Sequence, residues 1–423
     1  MTGASPRGRT HRIGIVAGPD AGHAFPAFAL AGLFDAAGYG VVVYTGRRWL
    51  DEASRRGIRT LELPGLTALA DDDDGDAGDK LSGRAARIAC ALEPSLVAEH
   101  IDLVVSDAIT VGGGWGAELA GIPWVECSPH PLYDASRGLP PVGSGLAVGT
   151  GLQGRLRDSL MRVATARSIR LGERQRSSAR TSIGLPGTPA PAARLVATLP
   201  ALEVRRPDWP ERTHIVGPLL WEPTDEIFTV PGGDGPLIMV APSTAATGAG
   251  DMIDHVLGGL AGLRRDVRVV VSGLGIDDST VAAICVGAGL PAGAVVAGLA
   301  RQDQLLASGA VDVLICGGGH GILAKSLTHG VPVVTIPGGG DQWELANRVS
   351  RIGVGELVRP VTADTVTGAV RTVLDDPGYA DRAASVAASA RGTVDPVTVI
   401  DRVLGRSGAA PADRTPIGST PCD

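Results

Sequence analysis

Short apolar runs alternate with longer helix-type segments along the first half of the chain. Four of these runs are predicted to be strands, at residues 12–17, 41–45, 101–106 and 124–127. Their almost continuous apolar character is typical of strands that are buried on both faces, as in a parallel sheet. A helix is predicted over 25–37, directly after the first strand and its glycine- and proline-containing loop. This alternation of strand and helix predicts a doubly wound α/β domain.

The second half of the chain repeats the pattern. Strands are predicted at residues 237–241, 267–272, 294–297, 313–316 and 333–336. Turn-forming residues at 231–235 separate the two halves, as expected at a linker. The sequence therefore predicts an α/β protein of two similar domains and a loose, Pro/Gly/Ser/Thr-rich tail. The predicted bounds are 1–220 for the N-terminal domain, 221–235 for the linker, 236–406 for the C-terminal domain and 407–423 for the tail.

Two segments interrupt the alternation. Residues 71–79 read DDDDGDAGD, and we expect a solvated loop there, because a metal site needs ligands that converge on one point. Residues 152–180 are rich in arginine with helical spacing, which predicts helices on the surface.

The composition argues against several classes of function. The chain has 423 residues, a formal net charge of −7 and 3% aromatic residues, so a general nucleic-acid interface is not expected. No apolar run is long enough to predict a membrane span, and residues 1–12 do not resemble a signal peptide. The five cysteines are scattered without a Cys-x-x-Cys pair. This favours a reducing cytoplasm and argues against a structural zinc site.

The strongest candidate for chemistry lies in the second half. Cys316 ends a predicted strand, and three glycines, His320 and Gly321 then lead into a helix. Such a turn brings free backbone N–H groups and the positive end of a helix dipole to an anion, and a diphosphate is the natural ligand. Asp341 and Gln342 follow the next strand, so we expect them at the same crevice, where they suit the recognition of hydroxyl groups.

Residues 313–358 resemble the donor-binding signature of GT-B glycosyltransferases that use nucleotide-diphosphate sugars, in particular the bacterial antibiotic and macrolide branch. The resemblance extends to the Gly22-His23 loop, to the AELAGIPWV stretch at 117–125 and to the VGP element at 216–218. It implies two Rossmann-like domains that face an inter-domain cleft. The N-terminal domain is then expected to bind the acceptor, and the C-terminal domain the sugar nucleotide.

The resemblance also implies a catalytic dyad. His23 matches the base that deprotonates the acceptor hydroxyl, and Asp107 matches its orienting partner. Histidine suits this role near neutral pH, and a carboxylate fixes its tautomer. The implied reaction is inverting transfer of a sugar to a hydroxyl of a small natural product. It needs no metal site, because the helix N-terminus and the glycine turn can hold the diphosphate and no Asp-x-Asp motif stands at a strand end. It needs no resident cofactor, since the sugar nucleotide is a co-substrate.

Eight residues of this chain are candidates for the donor site: Thr244, Gly318, Gly319, His320, Gly321, Lys325, Asp341 and Gln342. Four positions depart from the family signature, namely Gly317 for the phosphate-contacting His, Ile322 for Thr/Ser, Lys325 for the ribose-binding Glu and Leu299 for the base-stacking aromatic. His320 is a candidate for the missing cation, although a structural role fits equally well. An ammonium group has no acceptor, so we expect weak ribose recognition, a dTDP-sugar used at least as well as a UDP-sugar, and Lys325 directed towards a phosphate.

Two alternatives to this activity stay open. The lost donor contacts fit a retired homologue that acts as a partner or activator of another enzyme; transfer or hydrolysis of any sugar nucleotide would reject it. The other alternative is a GT-B relative with different chemistry, either a sugar-nucleotide epimerase or a transferase to a lipid carrier. A basic and apolar face on the N-terminal domain would favour the lipid carrier.

Overall fold

A computed structural model describes residues 11–67, 77–242, 252–291 and 293–407. The strands are β1 (Arg12–Val16), β2 (Gly40–Thr45), β3 (Thr60–Glu62), β4 (Leu103–Asp107), β5 (Trp124–Ser128), β6 (Ala193–Val196), β7 (Thr213–Ile215), β8 (Leu237–Ala241), β9 (Arg268–Ser272), β10 (Val295–Gly298), β11 (Val311–Cys316), β12 (Val333–Thr335) and β13 (Gly355–Leu357). The helices are α1 (Ala21–Ala36), α2 (Leu50–Arg55), α3 (Ala77–Ala98), α4 (Gly112–Leu119), α5 (Gly151–Ser182), α6 (Met252–Ala261), α7 (Asp278–Ala288), α8 (Gln302–Ala307), α9 (His320–Thr328), α10 (Gln342–Ile352), α11 (Ala363–Asp375), α12 (Gly378–Ser389) and α13 (Pro396–Ser407).

The first half forms a parallel sheet of seven strands in the order β3-β2-β1-β4-β5-β6-β7. In its centre Ile15 of β1 lies opposite Val43 of β2 and Val105 of β4. After β1 the chain adds β2 and β3 on one side of the sheet, and then β4 to β7 on the other side. The carboxyl ends of β1 and β4 therefore flank a crevice. Loops at such a switch point form the usual ligand site of an open α/β sheet.

The second half forms a parallel sheet of six strands in the order β10-β9-β8-β11-β12-β13. Leu314 of β11 lies opposite Met239 of β8 and Val333 of β12. All three side chains are fully buried, as the apolar runs predicted. The prediction of two doubly wound parallel sheets is therefore confirmed, and strand β8 has the predicted bounds.

The surface segments differ partly from expectation. The arginine-rich stretch forms one continuous helix, α5, of 32 residues rather than several helices. Asp79, at the end of the acidic run, belongs to the first turn of α3 and not to a loop. Residues 71–76 lie outside the described part of the chain.

The two sheets are interlocked by segments that cross from one half to the other. Leu199 and Leu202 precede the linker, yet they pack in the core of the second sheet. In return, Val399 and Ile400 of α13 pack in the core of the first sheet. All four side chains are at most 2% exposed. Helix α13 therefore belongs by packing to the N-terminal domain, although the sequence prediction included it in 236–406.

Among the described residues, Cys127, Cys285 and Cys316 are free and buried. Within the described ranges no helix is both long and apolar enough to cross a membrane.

Candidate active site

The predicted dyad is assembled at the carboxyl ends of two neighbouring strands. His23 lies in the first turn of α1, directly after β1, and Asp107 is the last residue of β4. Because β1 and β4 pair in parallel, the two side chains emerge at the same edge of the sheet. Nδ1 of His23 lies 2.9 Å from Oδ1 of Asp107.

Asp107 is held rigidly on its other side. Its Oδ2 accepts hydrogen bonds from the backbone N–H of Ile109 at 3.2 Å, and from the backbone N–H and Oγ1 of Thr110, each at 2.9 Å. The residue is 6% exposed. A carboxylate only accepts hydrogen bonds, so Nδ1 of His23 carries its proton and Nε2 presents a lone pair.

Opposing effects act on the pKa of His23. Burial lowers it, but the hydrogen bond and the charge of Asp107, with the charges of Asp20 and Asp341, outweigh burial and raise the pKa above its ordinary value of 6.5. Asp341 belongs to the other half of the molecule, so both halves contribute to the electrostatic environment of the imidazole.

A cleft of about 790 Å³ connects His23 with the second half of the molecule. Its walls combine both sides of the predicted site. They include His23, Trp221, Glu222, Leu299, Gln302, Gly317, Gly319, His320, Gly321, Ile322, Lys325 and Asp341. Of the predicted donor residues, Thr244 lies outside the part of the chain that the structure describes.

The glycine turn has the predicted form: β11 ends at Cys316, and α9 begins at His320 with Gly319 as its N-cap. Gly318 has φ +82, and a Cβ there would lie 3.2 Å from the backbone oxygen of Gln342. Gln342 is 6% exposed, and its Oε1 accepts the backbone N–H of Gly338 at 2.8 Å. Gln342 therefore braces the loop that faces the turn.

His320 is not a cation at neutral pH. Burial is the main cause that lowers its pKa, to about 3. Its Nε2 lies 2.9 Å from Oγ1 of Thr198 in the N-terminal half. His320 thus joins the two halves through a neutral ring and does not replace the positive charge that the departure at Gly317 removes.

Lys325 points into a buried polar cluster. Its Nζ donates to Oε1 of Glu222 at 2.5 Å and to Oε1 of Gln302 at 3.0 Å. Gln302 in turn donates to Oγ of Ser272 at 3.1 Å. Lys325 and Glu222 are 7% and 8% exposed, so the ion pair is largely buried, although both residues border the cleft. The positive charge of Lys325 is balanced by Glu222, a carboxylate of the linker.

Further polar side chains from the N-terminal half reach the cleft. Oη of Tyr133 donates to Oδ2 of Asp341 at 3.2 Å, across the two halves. His130 also lines the cleft and stacks on Tyr133 with ring centroids 4.4 Å apart. Asp341 therefore has a partner in the N-terminal half and borders the cleft.

Sequence reasoning missed four residues of this site: His130, Tyr133, Glu222 and Gln302. The Pro-His-Pro sequence at 129–131 after β5 was an available signal, since it also follows a strand end. Glu222 carried no such signal, because its partner Lys325 lies 103 positions away.

Comparison with known proteins supports the same architecture. Residues 287–405 match the model of the erythromycin biosynthesis protein CIII-like C-terminal domain. The 4'-demethylrebeccamycin synthase of Lentzea aerocolonigenes is 29% identical over 326 residues, which cover 72% of this chain and 74% of that protein.

Two solved structures illustrate the likeness in fold. The glycosyltransferase of kitacinnamycin has a TM-score of 0.71 at 20% identity, with 94% of this chain and 99% of that chain covered. SsfS6 of Streptomyces sp. SF2575, complexed with thymidine diphosphate, has a TM-score of 0.66 at 19% identity, with coverages of 93% and 99%. The predicted resemblance to antibiotic glycosyltransferases and the GT-B fold are confirmed.

Proposed function

We propose that this GT-B chain, a relative of the antibiotic glycosyltransferases, transfers a sugar from a nucleotide-diphosphate sugar to a hydroxyl of a small natural product. The observation that carries the proposal is the His23–Asp107 contact of 2.9 Å in the wall of a cleft whose opposite wall is the glycine turn. A base and an anion-binding turn across one cleft suit group transfer from a diphosphate.

In the proposed reaction Nε2 of His23 takes the proton of the acceptor hydroxyl while its oxygen attacks the anomeric carbon. The new carbon–oxygen bond forms on the face opposite the nucleoside diphosphate, whose bond to the anomeric carbon breaks, so the configuration inverts. Asp107 stabilises the imidazolium, which then loses its proton to solvent. The turn amides and the N-terminus of α9 stabilise the charge on the departing diphosphate. The proposal involves no metal and no resident cofactor.

The finer donor proposal is a dTDP-sugar. Glu222 and Gln302 take two of the three donors of Lys325, which leaves one donor for a ligand. Lys325 stands at the position of the family's ribose-binding carboxylate. The carboxylate that would accept a hydrogen bond from the 2'-hydroxyl is therefore replaced, and a nucleotide with that hydroxyl gains less. We expect dTDP to bind at least as tightly as UDP. Calorimetric titration of both nucleotides measures this directly, and a strong preference for UDP would contradict it.

We also propose a cytoplasmic site of action, where sugar nucleotides are available.

The activity test measures release of free nucleotide and of glycosylated product from dTDP- and UDP-glucose with a panel of aromatic and macrolide alcohols. His23→Ala is expected to lower turnover by roughly 10²–10⁴-fold and to leave dTDP binding intact. His11→Ala is the matched control, because His11 also lies near a carboxylate, Asp102, at 3.7 Å, but does not line the cleft. An unchanged rate in His23→Ala would remove the dyad from the mechanism, and absence of transfer and hydrolysis in the wild type would favour the retired homologue.

A further inference from the structure

Helix α5 carries an unusual share of the exposed apolar surface. Of the 15 large hydrophobic side chains that are exposed among the described residues, six lie on this helix. Four of them are spaced by four, four and three residues, which places them on one helical face. They are Leu152, Leu156, Leu160 and Val163, and they are 87%, 61%, 61% and 72% exposed. Contiguous apolar surface of this kind marks a site of interaction.

The same face becomes basic further along the helix. Arg167, Arg170 and Arg174 continue the spacing of four, three and four residues, and all three are exposed. The whole helix holds eight arginines and two acidic residues, a net charge of +6, within a chain of net charge −7. We call these seven residues the α5 stripe: an apolar part, 152–163, followed by a basic part, 167–174.

We propose that the α5 stripe docks on the surface of an anionic lipid bilayer. In such a surface the leucines of the stripe can contact the acyl chains, and the arginine guanidinium groups can bind the lipid phosphates. This inference rests on the surface of the helix and not on the proposed function. A basic and apolar face on the N-terminal domain is also the feature that favours the lipid-carrier alternative.

Charge and composition decide against other occupants. A second copy of the chain would bring another helix of charge +6 against this one, and the like charges would repel. Residues 151–182 contain no Trp, Tyr or Phe, although Trp and Tyr dominate the energetically important positions of protein interfaces. Helices that lie in the plane of a membrane interface also combine leucine with arginine, usually on opposite faces. Here both lie on one exposed face, so the leucines and the guanidinium groups can meet the same lipid surface.

The experiment is co-sedimentation of the full chain with vesicles of phosphatidylglycerol and phosphatidylcholine, compared with vesicles of phosphatidylcholine alone. The wild type is expected to bind the anionic vesicles, more weakly as salt is raised. Arg167→Gln/Arg170→Gln/Arg174→Gln is expected to lower partitioning on the order of 100-fold, at about fivefold per basic residue. Leu156→Ser/Leu160→Ser is expected to lower it on the order of tenfold or more, since apolar contact area is lost.

Matched controls come from exposed residues outside the stripe. Leu81→Ser/Val286→Ser changes side chains that are 64% and 81% exposed, and it should bind vesicles as the wild type does. Circular dichroism checks that each variant is folded. Three outcomes would overturn the proposal: no preference for anionic vesicles, a dimer in sedimentation velocity that the leucine variant abolishes, or stripe-dependent binding of polyglutamate without vesicle binding.

Discussion

A histidine acts as a base only in its neutral form, so the contact that orients His23 also sets the pH at which it can work. Asp107 stabilises the imidazolium, and its hydrogen bond and charge, together with Asp20 and Asp341, raise the pKa of His23 above 6.5 although burial opposes the shift. In the proposed mechanism, His23 is therefore protonated and inactive at acidic pH. Activity should appear as the pH rises through the pKa of His23 in the folded protein.

We therefore predict that kcat/KM rises with pH along a single-proton limb whose midpoint lies above 6.5. Asp107→Asn removes the negative charge that raises the pKa of His23, so its limb should move to lower pH. Its maximal rate should fall as well, because the amide no longer fixes the tautomer. Rates measured between pH 5 and 9 for both proteins test this. A limb that stays in place in Asp107→Asn would mean that another group titrates.

The buried ion pair of Lys325 and Glu222 supports a second prediction, which concerns the free energy of unfolding. Removal of one partner of a buried ion pair leaves an uncompensated charge and costs about 3–5 kcal/mol, whereas removal of both partners costs much less. Lys325→Met should therefore destabilise the protein by about that amount in urea denaturation. Lys325→Met/Glu222→Gln should recover most of the loss, because Gln still accepts the backbone N–H of Asp303 that Glu222 holds at 3.0 Å.

The exposed pair of Arg265 and Asp375, 3.1 Å apart, supplies the control for that experiment. Arg265→Met should change the free energy of unfolding by at most about 1 kcal/mol, as is usual for surface pairs. If Lys325→Met changed the free energy of unfolding as little as Arg265→Met, water would have to reach the Lys325–Glu222 pair. Lys325 would then be more accessible to a ligand than its burial indicates.

At the scale of elements, the turn between β11 and α9 depends on one backbone conformation. Gly318 has φ +82 and lies against the backbone of Gln342, whereas Gly319 has φ −64 and has nothing within 4 Å of an added Cβ. The first glycine is therefore required by conformation and space. The second is not required for folding, and its lack of a side chain leaves room at the start of α9.

We predict that Gly318→Ala destabilises the protein by about 1–2 kcal/mol, the usual cost of a left-handed conformation for a residue with a Cβ. It should also weaken dTDP binding, because the turn amides lose their alignment. Gly319→Ala is the matched control and should leave the free energy of unfolding within about 0.5 kcal/mol of the wild type. Equal stability of the two variants in urea would show that the turn can relax.

Sequence patterns predicted best the strands that form an apolar run. Strand β8 is apolar and buried along its whole length and has the predicted bounds. Strands β3, β6, β7 and β13 were missed, because each has only three or four residues and includes a charged or polar one. Helix α3 was missed as well, because its first residues are part of the acidic run and it contains Pro94.

The residues of the site also differ in whether the sequence could predict their positions. His23 and Asp107 follow predicted strands, so parallel topology alone brings them to one edge. Glu222 is placed by tertiary packing, because it meets Lys325 across 103 positions. We expected Lys325 to point towards a phosphate from its position on the helix alone. That argument could not include the carboxylate of Glu222, which is distant in sequence.

For the whole molecule, the crossing segments determine how the two halves depend on each other. Leu199 and Leu202 complete the core of the second sheet, and α13 completes the core of the first. The sequence boundary at 221–235 predicted halves that separate there. The packing indicates that a cut in the linker exposes apolar surface on both products, at about 25 cal/mol per Å² of apolar area returned to water.

We therefore predict that fragments 1–233 and 234–423 do not fold cooperatively alone but restore the native protein when they are mixed. The cut is placed at Gly233 and Asp234, which are both exposed, so that the break itself disturbs little. Each fragment should lack a cooperative urea transition, because 1–233 is missing Ile400 and 234–423 is missing Leu202, both fully buried in the intact chain. The mixture should elute as one species near 43.0 kDa and regain dTDP binding. A full-length chain that is nicked at the same site after folding is the control, and it should stay associated. If fragment 234–423 alone were to unfold cooperatively and bind dTDP, the crossing segments would be dispensable and the linker would be a true domain boundary.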